Sequence, residues 1–179
     1  IAADLEVFNS KKLGEIYSSQ NLGSALDASL AVKPSDIFYI LFTSGSTGVP
    51  KGVQIERSNL EDFVKWTMEA YHYESRPMLF LNQAPFSFDL SVYELFNSLV
   101  SGGCMLAVSH SHVRELPQLF SMLHKYSEKM DIWVSTPSFL GLCAKDPSFV
   151  AKNFPNLYQF VLIGEVLPKT LASEILDRF

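Results

Sequence analysis

Ten consecutive positions, Thr43-Ser44-Gly45-Ser46-Thr47-Gly48-Val49-Pro50-Lys51-Gly52, hold four hydroxyls, three glycines and one lysine. That mixture suits a polyphosphate: glycines let backbone N–H groups turn toward an anion, hydroxyls add neutral donors, and the lysine brings one mobile positive charge. On composition alone a flexible surface turn is an equal reading, because Ser, Thr and Gly are common turn residues. The string is not a Walker P-loop, which needs Gly-Lys followed by Ser or Thr at a helix start; here Lys51 is followed by Gly52 and a strand-like run. Asp89 precedes a helical run beginning near Leu90 and by itself reads as that helix's cap, a task aspartate does well. The four histidines, His72, His110, His112 and His124, have no ligand spacing with cysteine or carboxylate partners. His110-Ser111-His112 reads as an exposed loop, and no protein metal site is expected.

The elements that must position these residues follow from pattern. Residues 37–42 form an apolar, aromatic and β-branched run too short for a helix, which reads as a buried strand ending at the glycine-rich loop. Residues 52–55 suit a second strand. Ser58 with Glu61 then reads as a capping box ahead of Leu60, Phe63, Val64, Thr67, Met68 and Tyr71, which share one helical face. Strand-like residues 78–83 lead to a helix over 90–99 stopped by Gly102-Gly103, and residues 104–108 lead to a helix over 116–126. Residues 131–135 lead through Thr136-Pro137, a good cap and first-turn pair, into a short helix. Residues 159–163 precede a helix from Lys169 onward. Strands alternating with helices predict an α/β fold with a mainly parallel sheet flanked by helices, whose ligands sit at the carboxyl ends of the strands.

Composition sets the outer bounds. The 179 residues are 47% hydrophobic, enough for a substantial core. Fourteen basic residues stand against 19 acidic ones, for a net charge of −5, and no basic run offers a path for a phosphate backbone, so nucleic acid is not expected as a partner. Cys104 and Cys143 are unpaired in spacing and each lies in an apolar segment, the usual setting of a buried thiol; with no window long enough to span a bilayer, a cytoplasmic location is expected and membrane insertion is not. Trp66, Trp133 and the phenylalanines read as core. Residues 1–35 read as a lead-in and 36–179 as the main unit. The sequence lacks an initiating methionine and stops on a helical pattern, and so reads as a piece of a longer chain.

The ordered string at residues 41–53 resembles the signature phosphate loop of the adenylate-forming superfamily: acyl-CoA synthetases, peptide-synthetase adenylation domains and luciferases. The resemblance runs over residues 36–179, through Gln83 to Val92 (QAPFSFDLSV), Ser135 to Phe139 (STPSF) and Gly164 to Pro168 (GEVLP). In that order these segments look most like the D-alanine:D-alanyl carrier protein ligases, with amino-acid adenylation domains of peptide synthetases as the alternative. The resemblance implies a partial N-terminal adenylation domain of an enzyme that activates a small amino acid, D-alanine foremost, as an aminoacyl-adenylate. The acyl group then passes to the phosphopantetheine thiol of a carrier protein. It assigns ATP to Thr43, Ser44, Gly45, Ser46, Thr47, Gly48 and Lys51, with Gly164, Glu165 and Val166 against the adenine. It assigns the substrate ammonium to Asp89 and the acyl side chain to Tyr93, Ser138, Val161 and Ile163.

Several ligases of that kind carry cysteine where this chain has Ile163, which leaves the substrate's handedness open. The Mg²⁺ ligand and the catalytic lysine of the family belong to later motifs that follow residue 179 in the family's order. The 179 residues are therefore expected to be catalytically inactive alone, and the loop over 44–51 to be poorly ordered without nucleotide. A non-catalytic nucleotide-binding or interaction module is the reading of another class; it predicts a degraded phosphate loop or a lost Asp89, and neither is seen.

Overall fold

The computed structural model describes residue 29, residues 31–43 and residues 48–179, the side chain of Glu74 apart. The chain divides into two units, Ile1–Lys33 and Pro34–Phe179, and among the described residues every strand and α-helix belongs to the second. There β1 (Ile37–Thr43) and β2 (Lys51–Glu56) pair antiparallel, with Thr43 opposite Lys51, so the glycine-rich stretch is the connection of a hairpin. Residues 44–47 of that connection, and with them the expectation that the loop is poorly ordered, lie outside the described residues.

Leaving β2, the chain turns directly into α1 (Arg57–Tyr71). The helix starts earlier than the Ser58/Glu61 capping box predicts: Glu56 occupies the cap, and its N–H donates to the Asn59 side chain at 3.0 Å. After a 3₁₀ turn at Tyr73–Ser75 come β3 (Leu79–Asn82), α2 (Leu90–Val100), β4 (Cys104–Ala107), α3 (His110–Arg114), α4 (Leu116–Tyr126), β5 (Met130–Ser135), α5 (Pro137–Cys143), β6 (Gln159–Leu162) and α6 (Lys169–Arg178). The strands from β3 onward form a parallel sheet in the order β4-β3-β5-β6. Thr136 caps α5 as its sequence predicts, accepting from the Phe139 N–H at 3.3 Å. Gly102, at φ 67°, and Gly103, where a Cβ would collide with the Met78 backbone, end α2 and bring the chain onto β4.

Alternation along the strands divides the core. Leu81 and Trp133 face α4, α5 and α6, packing with Leu119, Leu123, Phe139, Leu140 and Ile175, whereas Phe80, Ile132 and Val134 pack with Tyr73, Leu90 and Tyr93 on the other side. Every residue of β5 is buried, as befits a central strand covered on both faces.

The structure corrects several expectations. The β1 run is largely exposed, with Phe42 at 73%, because the two-stranded ribbon is only partly covered: Tyr39 and Leu41 are half-buried and Phe38 meets Phe96, while Ile37, Ile40 and Phe42 stay open. Cys104 is exposed, since β4 is an edge strand. Trp66 lies on the outer face of α1 and Phe86 and Phe88 in an open loop, all more than half exposed. His110 and His112 sit on a short exposed helix instead of a loop.

Candidate functional site

The three C-terminal motifs follow the carboxyl ends of parallel strands: residues 83–92 after β3, Thr136-Pro137-Ser138-Phe139 after β5, and residues 164–168 after β6. Parallel register puts those ends on one edge of the sheet, where Ser135 and Leu162 are paired and the Ile163 N–H donates to the Ser135 carbonyl at 3.2 Å. Ligands of open α/β sheets collect at such an edge.

Asp89 immediately precedes α2, yet its side chain makes no capping hydrogen bond. Asp89, itself exposed, contributes to the lining of a pocket of about 310 Å³ together with Tyr39, Asn59, Phe63, Tyr93 and Ile163. Burial, and after it the charge of Asp89, push the Tyr39 phenol above its usual range. A single acidic group in a largely apolar, aromatic cavity at the small end of the ligand-site range (about 300–1,000 Å³) suits a compact cation-bearing molecule.

The depth of this pocket is set behind it. The Tyr73 hydroxyl donates to Gln159 Oε1 at 2.8 Å, so its 2.7 Å contact with Tyr93 must be donated by Tyr93. Both phenols are raised by burial, Tyr73 to about 12. The Tyr93 hydroxyl is thereby committed to the core, and what the pocket meets is ring. Val161 packs against this same cluster and does not line the pocket; it backs Tyr93 and Tyr73 from β6.

Ser138 is also outside the pocket lining. Its N–H and hydroxyl both donate to Glu165 Oε2, the N–H at 3.1 Å, which ties the first turn of α5 to the 164–168 segment. Gly164, at φ 92°, makes the turn that allows this, and Val166 is 90% exposed. In the hairpin Thr43 Oγ1 reaches the Lys51 carbonyl at 3.5 Å and Gly48 has φ 78°, leaving the Lys51 side chain exposed.

Of the sequence-predicted substrate residues, the structure thus gathers Asp89, Tyr93 and Ile163 in one cavity and places Val161 behind it and Ser138 beside it. The pattern missed Tyr39, Ile55 and Phe63, because residues read as strand or helix core carry no mark of which core they face, and Asn59, which belonged to no predicted face. A larger cavity of about 710 Å³, lined by Arg76, Met78, Cys104, Lys129 and Asp131, opens at the amino ends of the strands, away from every motif. No group of three or more His, Cys, Asp or Glu among the described residues could hold a metal, and none of the described helices is long and apolar enough to cross a membrane.

Residues 4–179 match the AMP-binding enzyme family. The chain is 44% identical over 160 residues to a D-alanine–D-alanyl carrier protein ligase of Listeria monocytogenes serotype 4b (strain F2365), covering 89% of this chain and 31% of that one. It is 45% identical over 148 residues to the enzyme of the same name from Bacillus velezensis, covering 83% and 29%. The chain therefore spans about a third of the length of the curated relatives it matches. Among solved structures, the Vibrio cholerae adenylation domain AlmE in complex with glycyl-adenosine-5'-phosphate superposes with a TM-score of 0.69 at 25% identity, over 84% of this chain and 28% of that one. ATP-bound MatB from Rhodopseudomonas palustris, at 16% identity and a TM-score of 0.68 over 82% and 28%, shares the fold.

Proposed function

Because the chain belongs to the AMP-binding enzyme family, we propose that it is the part of an ATP-dependent ligase that selects a small amino acid, D-alanine foremost, and presents its carboxylate to ATP. The observation that carries this reading is Asp89, an exposed carboxylate that makes no capping bond and lines a small aromatic pocket. A fatty or aryl acid would leave that charge without a partner, whereas an α-ammonium neutralises it. The names of the relatives, D-alanine–D-alanyl carrier protein ligases, support the same substrate, and the glycyl-adenylate held by AlmE supports a small side chain.

In the proposed reaction a carboxylate oxygen attacks the α-phosphorus of ATP, the bond to the bridging oxygen breaks and pyrophosphate leaves. The thiolate of a carrier protein's phosphopantetheine then attacks the acyl carbon and AMP departs. Asp89 orients the amino acid, the ring of Tyr93 and Ile163 limit its side chain, and Thr43, Gly48 and Lys51 with residues 44–47 take the phosphates. Gly164 to Val166 lie against the adenine. Ser138 acts through Glu165, and Val161 acts by supporting Tyr93. Mg²⁺ accompanies ATP through a ligand of a later family motif, and the enzyme works in the cytoplasm, where ATP is available.

Amino-acid-dependent ATP–pyrophosphate exchange by the full-length protein, over a panel of D- and L-amino acids and of acids lacking an amino group, tests this. D-alanine, L-alanine or glycine should lead; preference for an acid without an amino group overturns the reading.

A further inference from the structure

Among the described residues, Glu94 Oε2 and Gln83 Oε1 are buried side-chain oxygens with no hydrogen-bond partner. Glu94 is fully buried on α2, does not line the Asp89 pocket, and has no place in the chemistry proposed above. We propose that Glu94 is a positioning residue for amino-acid recognition: through Asn82 it fixes the backbone of the 83–89 loop, and with it the place of Asp89. This rests on the reading of Asp89 as the ammonium anchor.

The geometry is a short chain of bonds. Asn82, at the carboxyl end of β3 and 4% exposed, donates one amide hydrogen to Glu94 Oε1 at 2.6 Å and the other to the Ala84 carbonyl at 3.1 Å. Both hydrogens are committed, so the Asn82 amide cannot turn without losing one of them. Past Ala84 the loop closes on itself, the Phe88 N–H donating to the Pro85 carbonyl at 2.9 Å, and the Ser91 hydroxyl donates to the Phe88 carbonyl at 2.7 Å. The loop is held at its start through Glu94 and at its end by Ser91, and both come from α2. Asp89 follows directly.

A packing role does not account for the residue. A methionine would fill the same space without leaving a carboxylate oxygen unsatisfied, which is costly in a buried site. What methionine cannot supply is the acceptor that orients Asn82. A displacement of about 1 Å at a recognition group can cost on the order of a hundredfold in rate or affinity, so a clamp on this loop has a function to protect.

The test uses Glu94→Gln, Glu94→Met and Asn82→Ala in the full-length protein. Glu94→Gln keeps the acceptor and should keep the amino-acid KM. Glu94→Met and Asn82→Ala should each raise it roughly ten- to a hundredfold with the ATP KM within about twofold, and the double variant should be no worse than the worse single. Hydrogen exchange should quicken in residues 83–89 of Glu94→Met while β5 and β6 keep their protection. Equal rises in both KM values, additive effects, or unchanged exchange in the loop overturn the proposal. If Glu94→Met does not fold, Asn82→Ala carries the same comparison. A wild-type protein that activates no amino acid defeats the reading of Asp89, while the exchange measurement still decides the clamp.

Discussion

Asp89 shows how one residue type can serve two purposes that only geometry separates. At a helix start its carboxylate could have capped α2, but it makes no capping bond, and the residue lies exposed in the lining of the pocket. In the full-length enzyme Asp89→Ala is expected to leave ATP affinity nearly intact and to weaken amino-acid activation by about 2–5 kcal/mol, the cost of stranding an enclosed ammonium. The exchange KM for each substrate measures this, and an unchanged amino-acid KM would remove Asp89 from the site. Ile163→Ala opens the same pocket and should admit larger side chains, a gain of about 1–3 kcal/mol for butyrine-sized substrates read as kcat/KM. Glu94 makes a prediction of a different kind. Burial, opposed by the Asn82 hydrogen bond and its own backbone amide, raises its carboxyl from 4.5 to about 7. The native state then binds more protons than the unfolded chain between those values, so stability falls as pH rises through that window and the loss is complete above about 7. The shift corresponds to on the order of 3 kcal/mol. Glu94→Gln should therefore stabilise the protein at pH 8.5 and have little effect at pH 4.5, measured by urea unfolding at both; equal effects at the two values would contradict the assignment.

Among the elements, the junction of β3 and β5 departs most from regular pattern. Their register shifts between Leu79 and Phe80, which pair with Met130 and Ile132 and leave Asp131 as the extra residue. The Asp131 side chain compensates: Oδ2 accepts from the Leu79 N–H at 2.8 Å and Oδ1 from Arg76 at 2.5 Å. Arg76 is half exposed while the carboxylate is 5% exposed, so the backbone bond is the better shielded of the two. Asp131→Ala should lower the unfolding free energy by about 1–3 kcal/mol through an orphaned amide, seen as a lower urea midpoint, and Arg76→Ala should cost less. If both variants cost the same, the ion pair and not the bulge contact is what matters. Most other elements were legible beforehand. The Thr136-Pro137 start of α5, the span of α4 and the glycine stop of α2 follow from local chemistry that needs no partner. The α1 cap was misplaced because Ser58/Glu61 and Glu56/Asn59 are overlapping signals, and the abrupt end of β2 chose between them.

For the molecule as a whole, exposed apolar side chains are the conspicuous feature. Ile37, Ile40, Phe42 and Val53 on the hairpin and Leu99 and Val100 at the end of α2 are all more than a third exposed, and Phe38 meets Phe96 edge-on at 5.8 Å between these two elements. Exposed apolar surfaces of this kind favour association. The 179 residues on their own are expected to self-associate with rising concentration, and Phe42→Ser with Leu99→Ser to reduce it, as followed by sedimentation velocity. A monomer across the micromolar range would show that these side chains are too dispersed to act as a patch.

The sequence by itself determined the alternation of strands and helices and the parallel sheet, because these rest on local spacing and on short signals complete within a few residues. Through resemblance it also grouped Asp89, Tyr93, Ser138, Val161 and Ile163, of which Asp89, Tyr93 and Ile163 line one pocket. The tertiary structure decided the rest. That Asp89 lines a pocket, that Ser138 is held by Glu165 and Tyr93 by Tyr73, and that Tyr39 and Phe63 complete the wall are consequences of contacts between residues far apart in the chain. Periodicity states that a residue faces inward; which interior it faces is set by the packing of elements that no local window contains.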